Sequence, residues 1–317
     1  MAALFLILLR VAIGWHFLYE GLEKVESRLT GRQPFSAEIY LRNANGPFAP
    51  TFRAMIPDVD GREVLDPMHL KATWAGMVER IENHYGFTED QRKAAQELLD
   101  KQIQWSVYWF DDPANAEKKA KYLHDLGIAE KTERNPDALS YDRERDWDSR
   151  RALDVDRRTL TAPILEKEKE FEDSLVALAM PDQVKSAGAL APAPTSLEVL
   201  NVLTAYGLVA IGACLILGFL TPWAALGAAL FLAMIYLSMP PWPGLPPNPK
   251  AEGHYWIVSK NLVEMLACLV LATTPTGHWI GLDALVFGAR RRRALARSAT
   301  RTESPVEPPR TLPIPMK

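Results

Sequence analysis

Ionisable side chains punctuate the first apolar stretch of this sequence and its end, among them Arg10, His16, Glu20 and Lys24. Lys260, Asn261 and Glu264 enter the last one. Charge is costly in hydrocarbon, so such groups face a protein interior, pair with one another, or line a path for a polar ligand or a proton. At about 100° per residue, the polar groups of the first stretch occupy about one third of a helix's circumference. Lys260, Glu264 and Cys268 stand four apart and share one stripe. Arg10 lies about 15 Å along a helix from Glu20, and Glu264 about 13 Å from Tyr255. With both outer ends at one interface, Arg10 and Glu264 are expected at equal depth as a buried ion pair. Glu20, Lys24 and Lys260, with Glu252 and His254 as outer-face candidates, are expected to form a second polar cluster. Two roles fit these residues. They fix helix register, or they line a cavity for a polar head group, a quinone or a proton path.

Other chemistry is sparse. The only two cysteines, Cys214 and Cys268, lie in separate apolar runs. No CxxC, haem-binding CxxCH, iron–sulfur spacing or dinucleotide fingerprint occurs. His69, His84 and His124 are isolated, without HExxH spacing. The run DWDSRRALDVD lacks the order of a calcium loop and reads as a solvated charged face. No metal site is expected. A net charge of -3 gives no general attraction to nucleic acid, and no nucleic-acid partner is expected.

The elements that position the polar groups are apolar runs. A membrane span takes roughly 20 mostly apolar residues. Residues 2–19, 197–220, 223–239 and 255–274 qualify. The first lacks a basic leader, carries Arg10 in its middle and has no small-x-small cleavage site, so it reads as a retained helix and not a signal peptide. The turn GFLTPW makes a hairpin of the second and third spans, with Pro222 in the first turn of a helix. Arg290, Arg291, Arg292 and Arg293 follow the fourth, which places that end, and with four spans the N-terminus, in the cytoplasm.

The expected architecture is all-α: a four-helix transmembrane bundle with a helical extracytoplasmic insert. Residues 1–24 form transmembrane helix 1, 25–195 the mostly helical insert, 196–288 transmembrane helices 2–4, and 289–317 a basic, Pro-rich cytoplasmic tail expected to be disordered. Within the insert, Thr88 is the expected N-cap of a helix over 89–110. Further helices are expected over 115–126 and, as one or two pieces, 151–180. Irregular loops are expected at 31–66 and a linker at 182–195. Trp105, Tyr108, Trp109 and Phe110 are expected in the insert's core or at its membrane contact.

Several segments, in order, resemble the DoxX/DoxD family of bacterial and archaeal membrane proteins. LLRVAIGWHFLYEGLEKV is similar to that family's opening span, with Arg10, Gly21 and Lys24 at the matching positions. LVAIGACLILGFLTPWAALGAALFLAM is similar to its central hairpin. KNLVEMLACLVLATTPTGHWIGLDAL is similar to its final span and the ending at Asp283. About 110 residues are covered. The family generally has a short segment where this chain has an insert roughly 150 residues longer.

The resemblance implies a membrane subunit of a quinone-linked oxidoreductase, of the thiosulfate:quinone or oxidative-stress kind. The quinone would be the cofactor, and a soluble or membrane redox subunit the partner. The lipid bilayer is the expected surroundings, in a bacterial or archaeal cytoplasmic membrane, with a homo-oligomer open. Two alternatives stand beside it: a non-enzymatic anchor or assembly factor acting through the insert, and a small-solute carrier.

Overall fold

The computed structural model describes residues 1–31, 34–135, 137–191, 194–246 and 254–288. The basic tail and Glu252 lie outside the described residues, so expectations for them have no structural counterpart. In chain order the helices are α1 (Ala2–Thr30), α2 (Glu38–Arg42), α3 (Ala49–Arg53), α4 (Pro67–Tyr85), α5 (Glu89–Asp111), α6 (Pro113–Glu133), α7 (Ser140–Val176), α8 (Pro181–Ala187), α9 (Ser196–Leu217), α10 (Thr221–Ser238), α11 (Lys260–Thr273) and α12 (Thr276–Trp279). A two-stranded hairpin, β1 (His254–Tyr255) and β2 (Val258–Ser259), precedes α11. The described chain is predominantly helical, as its sequence predicts.

Among the described residues, three helices are long and apolar enough to cross a membrane: α1, α9 and α10. Large apolar side chains are exposed on all three, including Phe5, Trp15, Leu203, Tyr206, Trp223 and Leu230. Exposed apolar surface of this extent is compatible with a membrane protein.

The fourth run differs from its expectation of a helix over 255–274. Tyr255 pairs with Val258 across a turn at Trp256 and Ile257, and only the 14 residues of α11 are helical. Trp256 has φ 55, the backbone hand that two-residue hairpin turns require. At 1.5 Å per residue α11 spans about 21 Å, short of a bilayer core of about 30 Å. Pro275 lacks the N–H that would continue the helix, and the chain resumes helical form in α12 and at 282–288.

The described residues divide into two compact units. One comprises Met1–Pro34, Thr204–Ala233 and the chain from Leu262 onward. Its core holds Ile13, Phe17, Leu208, Leu215, Leu271 and buried alanines of α10. Glycines permit close approach of α1 and α9: a Cβ on Gly21 would stand 2.6 Å from the Val209 backbone nitrogen. Small residues at contacts let helix backbones pack where water supplies no driving force between helices.

The other unit comprises Phe35–Leu203 and Met234–Asn261. Its main core joins α4, α5, α6 and α7 around Trp74, Ile81, Leu126, Ile164, Phe171 and Leu175. Thr88 caps α5 in a reciprocal pair with Gln91. Trp105, Trp109 and Phe110 pack on this core, whereas Tyr108 is exposed. α7 is one 37-residue helix carrying Pro163 in its interior. The expected linker begins instead with α8.

Where irregular loops are expected at 31–66, the described residues 34–66 hold α2, α3 and a core of their own. Leu41, Ala44, Phe52 and Ile56 form a small core with Leu197, Leu200 and Leu237. Asn201 Oδ1 accepts from the Ala37 backbone N–H, and the Asn45 N–H donates to the Ser238 carbonyl. These partners lie far away in sequence, which hides them from local pattern reading.

Candidate functional site

Arg10 is 2 % exposed. Its Nη2 donates to the Ile280 carbonyl at 2.8 Å, while Nε and Nη1 have no hydrogen-bond partner. Asp283, 3 % exposed, is the acid whose charge acts on this guanidinium. Its carboxylate accepts from the backbone N–H groups of Leu220 at 2.8 Å and Thr221 at 3.1 Å. Its own N–H donates to the Gly218 carbonyl at 2.9 Å. A negative group at a helix N-terminus is favourable, and Asp283 supplies it for α10 from 62 residues away.

The same bonds hold strained backbone. Gly218 has φ 64 and Leu220 φ 48 in the turn from α9 to α10. A Cβ at Gly218 would stand 2.8 Å from Arg10 Nη1, and one at Gly277 would collide with Asp283 Oδ2 and Thr221 Oγ1. The cluster of Arg10, Asp283 and these glycines is packed too tightly for a substrate. Its geometry closes a turn.

The expected Arg10–Glu264 ion pair is replaced by this arrangement. Glu264 Oε1 instead stands 2.8 Å from His16 Nδ1. The expectation assumed an unbroken helix from Tyr255, so that depth could be counted from that residue. The hairpin at 254–259 removes that ruler, and the break at Pro275 returns 276–283 to Arg10. The His16 side chain is 55 % exposed and that of Glu264 20 %. With Nδ1–H donating to the carboxylate, Nε2 is left as an acceptor on an apolar helix. A histidine oriented by a carboxylate can exchange a proton at Nε2 and, once that nitrogen is protonated, donate to a carbonyl.

Lys24 Nζ donates to Glu20 Oε2 at 2.6 Å and to the Glu20 carbonyl at 3.2 Å, the two residues following His16 by about one turn (Glu20) and about two turns (Lys24) on α1. Lys260 and Asn261 open α11 and belong to the other compact unit. His254 pairs through its backbone with Ser259. Among the described residues no group of three or more His, Cys, Asp or Glu is placed to hold a metal.

Sequence reasoning on ionisable spacing omitted Asp283, Thr221 and Gly218. Their signals were present: Asp283 stands in the final family-like segment, in GHWIGLDAL, and Gly218 opens the hairpin turn. No family model, curated protein or solved structure matches the chain.

Proposed function

We propose that this chain is a DoxX/DoxD-like integral membrane subunit of a quinone-linked oxidoreductase. The observation that carries this reading is the His16–Glu264 pair, a hydrogen-bonded histidine–carboxylate couple left open on an apolar helix. Four chain segments traverse the bilayer: α1, α9, α10, and α11 continued by α12 and 282–288. The segment between α1 and α9 stands outside the cytoplasm as an inserted domain, and both termini face the cytoplasm.

A quinone head group presents carbonyl oxygens that accept hydrogen bonds, and each becomes a hydroxyl on two-electron, two-proton reduction. His16 fits that need. Its Nε2 donates when the ring is protonated, while Nδ1–H stays on the Glu264 carboxylate and orients the ring. Electrons come from a separate redox subunit docked on the insert. Arg10 and Asp283 stay outside the chemistry and fix the turn between α9 and α10.

Quinone extracted from purified protein tests the reading. Wild-type protein is expected to carry a membrane quinone, and His16→Ala or Glu264→Gln to lower its affinity at least about tenfold, or about 1.4 kcal/mol. Protein that neither retains nor rebinds quinone removes the quinone role.

A second reading is an anchor or assembly factor acting through the insert. The separate core around Trp74 and Ile164 favours it, because it provides a docking body independent of the His16–Glu264 pair. In that case a specific partner is retained by His16→Ala protein.

A further inference from the structure

The face of α7 that reads as a solvated charge run is one wall of a cleft. Trp147, Arg150, Arg151, Asp154, Arg157 and Arg158 recur at helical spacing on it. The segment from Ser36 to Ala44, with Arg53, forms the other wall. The cleft has a volume of about 790 Å³.

Six arginines line it: Arg42, Arg53, Arg150, Arg151, Arg157 and Arg158. Only two acids do, Glu38 and Asp154. Glu133 and Asp146 lie behind and take Arg53 and Arg150, and Asp60 is buried beside the same arginines, so the local acids number five against six arginines. Asp154 bridges three guanidinium groups: Arg42 at 3.3 Å, Arg157 at 2.9 Å and Arg158 at 2.5 Å. These contacts fix the positions of the cations without neutralising them.

Donors remain. The Arg151 guanidinium lies 4.9 Å from the Trp147 ring centroid and makes no hydrogen bond or ion pair among the described residues. Arg150 Nε is buried without a hydrogen-bond partner, its nearest acid oxygen on Asp146 being 3.8 Å away. Arg158 is held by one nitrogen, with its side chain 66 % exposed. Ile39, Ala162 and Leu165 give the cleft an apolar part.

We infer that this cleft binds an organic phosphate ester, its phosphate on the arginines and its carbon portion against Ile39, Ala162 and Leu165. Guanidinium forks match phosphate oxygens in pairs, and preordered forks lose little side-chain freedom on binding. A cleft of this volume exceeds what a bare phosphate fills, and its apolar wall has no use for one. The phosphate belongs to a soluble ester or to the headgroup of an anionic phospholipid. The inference does not depend on the quinone reading, since it concerns separate residues.

Calorimetric titration of the purified full chain in neutral detergent separates the outcomes. Phenyl phosphate is expected to bind saturably, at least about tenfold more tightly than inorganic phosphate, and more weakly as salt rises. Arg151→Ala and Arg158→Ala, both at exposed positions, are expected each to weaken binding about fivefold or more. The Arg151→Ala/Arg158→Ala double variant should abolish binding while keeping the wild-type circular dichroism spectrum and melting midpoint. Competition by dihexanoyl phosphatidylglycerol assigns the phosphate to a lipid headgroup; its failure to compete assigns a soluble ester. No saturable binding of either ester, equal affinity for inorganic phosphate, or an unchanged affinity in the folded double variant overturns the inference.

Discussion

Asp154 and Asp60 end on opposite sides of the ordinary carboxylate pKa, although the arginines near each act in the same, lowering direction. Burial alone would raise the pKa of Asp154. The hydrogen bond from Arg157 and the charges of Arg42, Arg157 and Arg158 outweigh it, and the carboxyl is held below its ordinary value. Asp60 is buried more deeply, and its pKa is raised despite Arg150, Arg53 and Arg62. Asp154 therefore contributes stability at pH above the ordinary carboxylate value of about 3.9, and loses it as pH falls through its lowered folded value. For Asp60, stability falls as pH rises from about 3.9 through its raised folded value. At pH 7, Asp154→Asn is expected to lower the insert's melting midpoint, by about 2 kcal/mol equivalent, as it removes charge-assisted bonds to three arginines. Asp60→Asn is expected to raise the midpoint at pH 7. Each difference should shrink as the wild-type carboxyl is protonated, that of Asp60 at the higher pH and that of Asp154 only below the ordinary carboxylate value. Melting curves followed by near-ultraviolet circular dichroism between pH 3 and pH 8 check this; the same sign for both variants at pH 7 would contradict it.

At the scale of elements, the turn from α9 to α10 depends on a residue outside both helices. Asp283 accepts two of the first backbone N–H groups of α10 and faces a buried guanidinium. Asp283→Ala leaves those groups and Arg10 unmatched, which is expected to cost about 3–5 kcal/mol. Gly277→Ala inserts a methyl group against Asp283 Oδ2 and Thr221 Oγ1, an overpacking cost of about 1–3 kcal/mol. His16→Ala removes a pair that is half exposed and should shift stability by less than either. The thermal midpoint of detergent-solubilised protein, read by size-exclusion chromatography, ranks the three. An Asp283→Ala midpoint equal to wild type would show that this cluster does not hold the turn. The fourth apolar segment makes a related point. Its apolar composition predicts one helix, yet proline at 275 and a strand hairpin at 254–259 leave 14 helical residues. Composition measures affinity for hydrocarbon and not hydrogen-bond continuity.

For the whole molecule, the proposed topology can be tested with the chain's own chemistry. Both native cysteines are withdrawn from solvent, Cys268 fully and Cys214 in part. Single cysteines placed at exposed Tyr108 or Val155 are therefore expected to stand above a low background. A membrane-impermeant maleimide added to intact cells should label both, while a cysteine added after residue 317 should be labelled only after lysis. Labelling of the tail in intact cells, with a silent insert, would invert the topology. Release of the protein from membranes by alkaline carbonate would reject integral insertion itself.

The sequence by itself determined the apolar runs at α1, α9 and α10, the cap at Thr88 and the largely helical insert, because each rests on near neighbours along the chain. It also marked Arg10, His16 and Glu264 as residues whose charge demands a partner. Which partner each finds was decided by tertiary structure. Arg10 meets Ile280 and Asp283, and His16 meets Glu264, because breaks at 254–259 and Pro275 reset the depth of everything between them. The arginine cleft has the same origin. Helical spacing aligns Arg150, Arg151, Arg157 and Arg158 on one face, and only the return of residues 36–53 across it turns a charged surface into an enclosed volume. Hydrogen bonds and ion pairs act over a few ångströms, so residues hundreds of positions apart become partners only once the chain has folded.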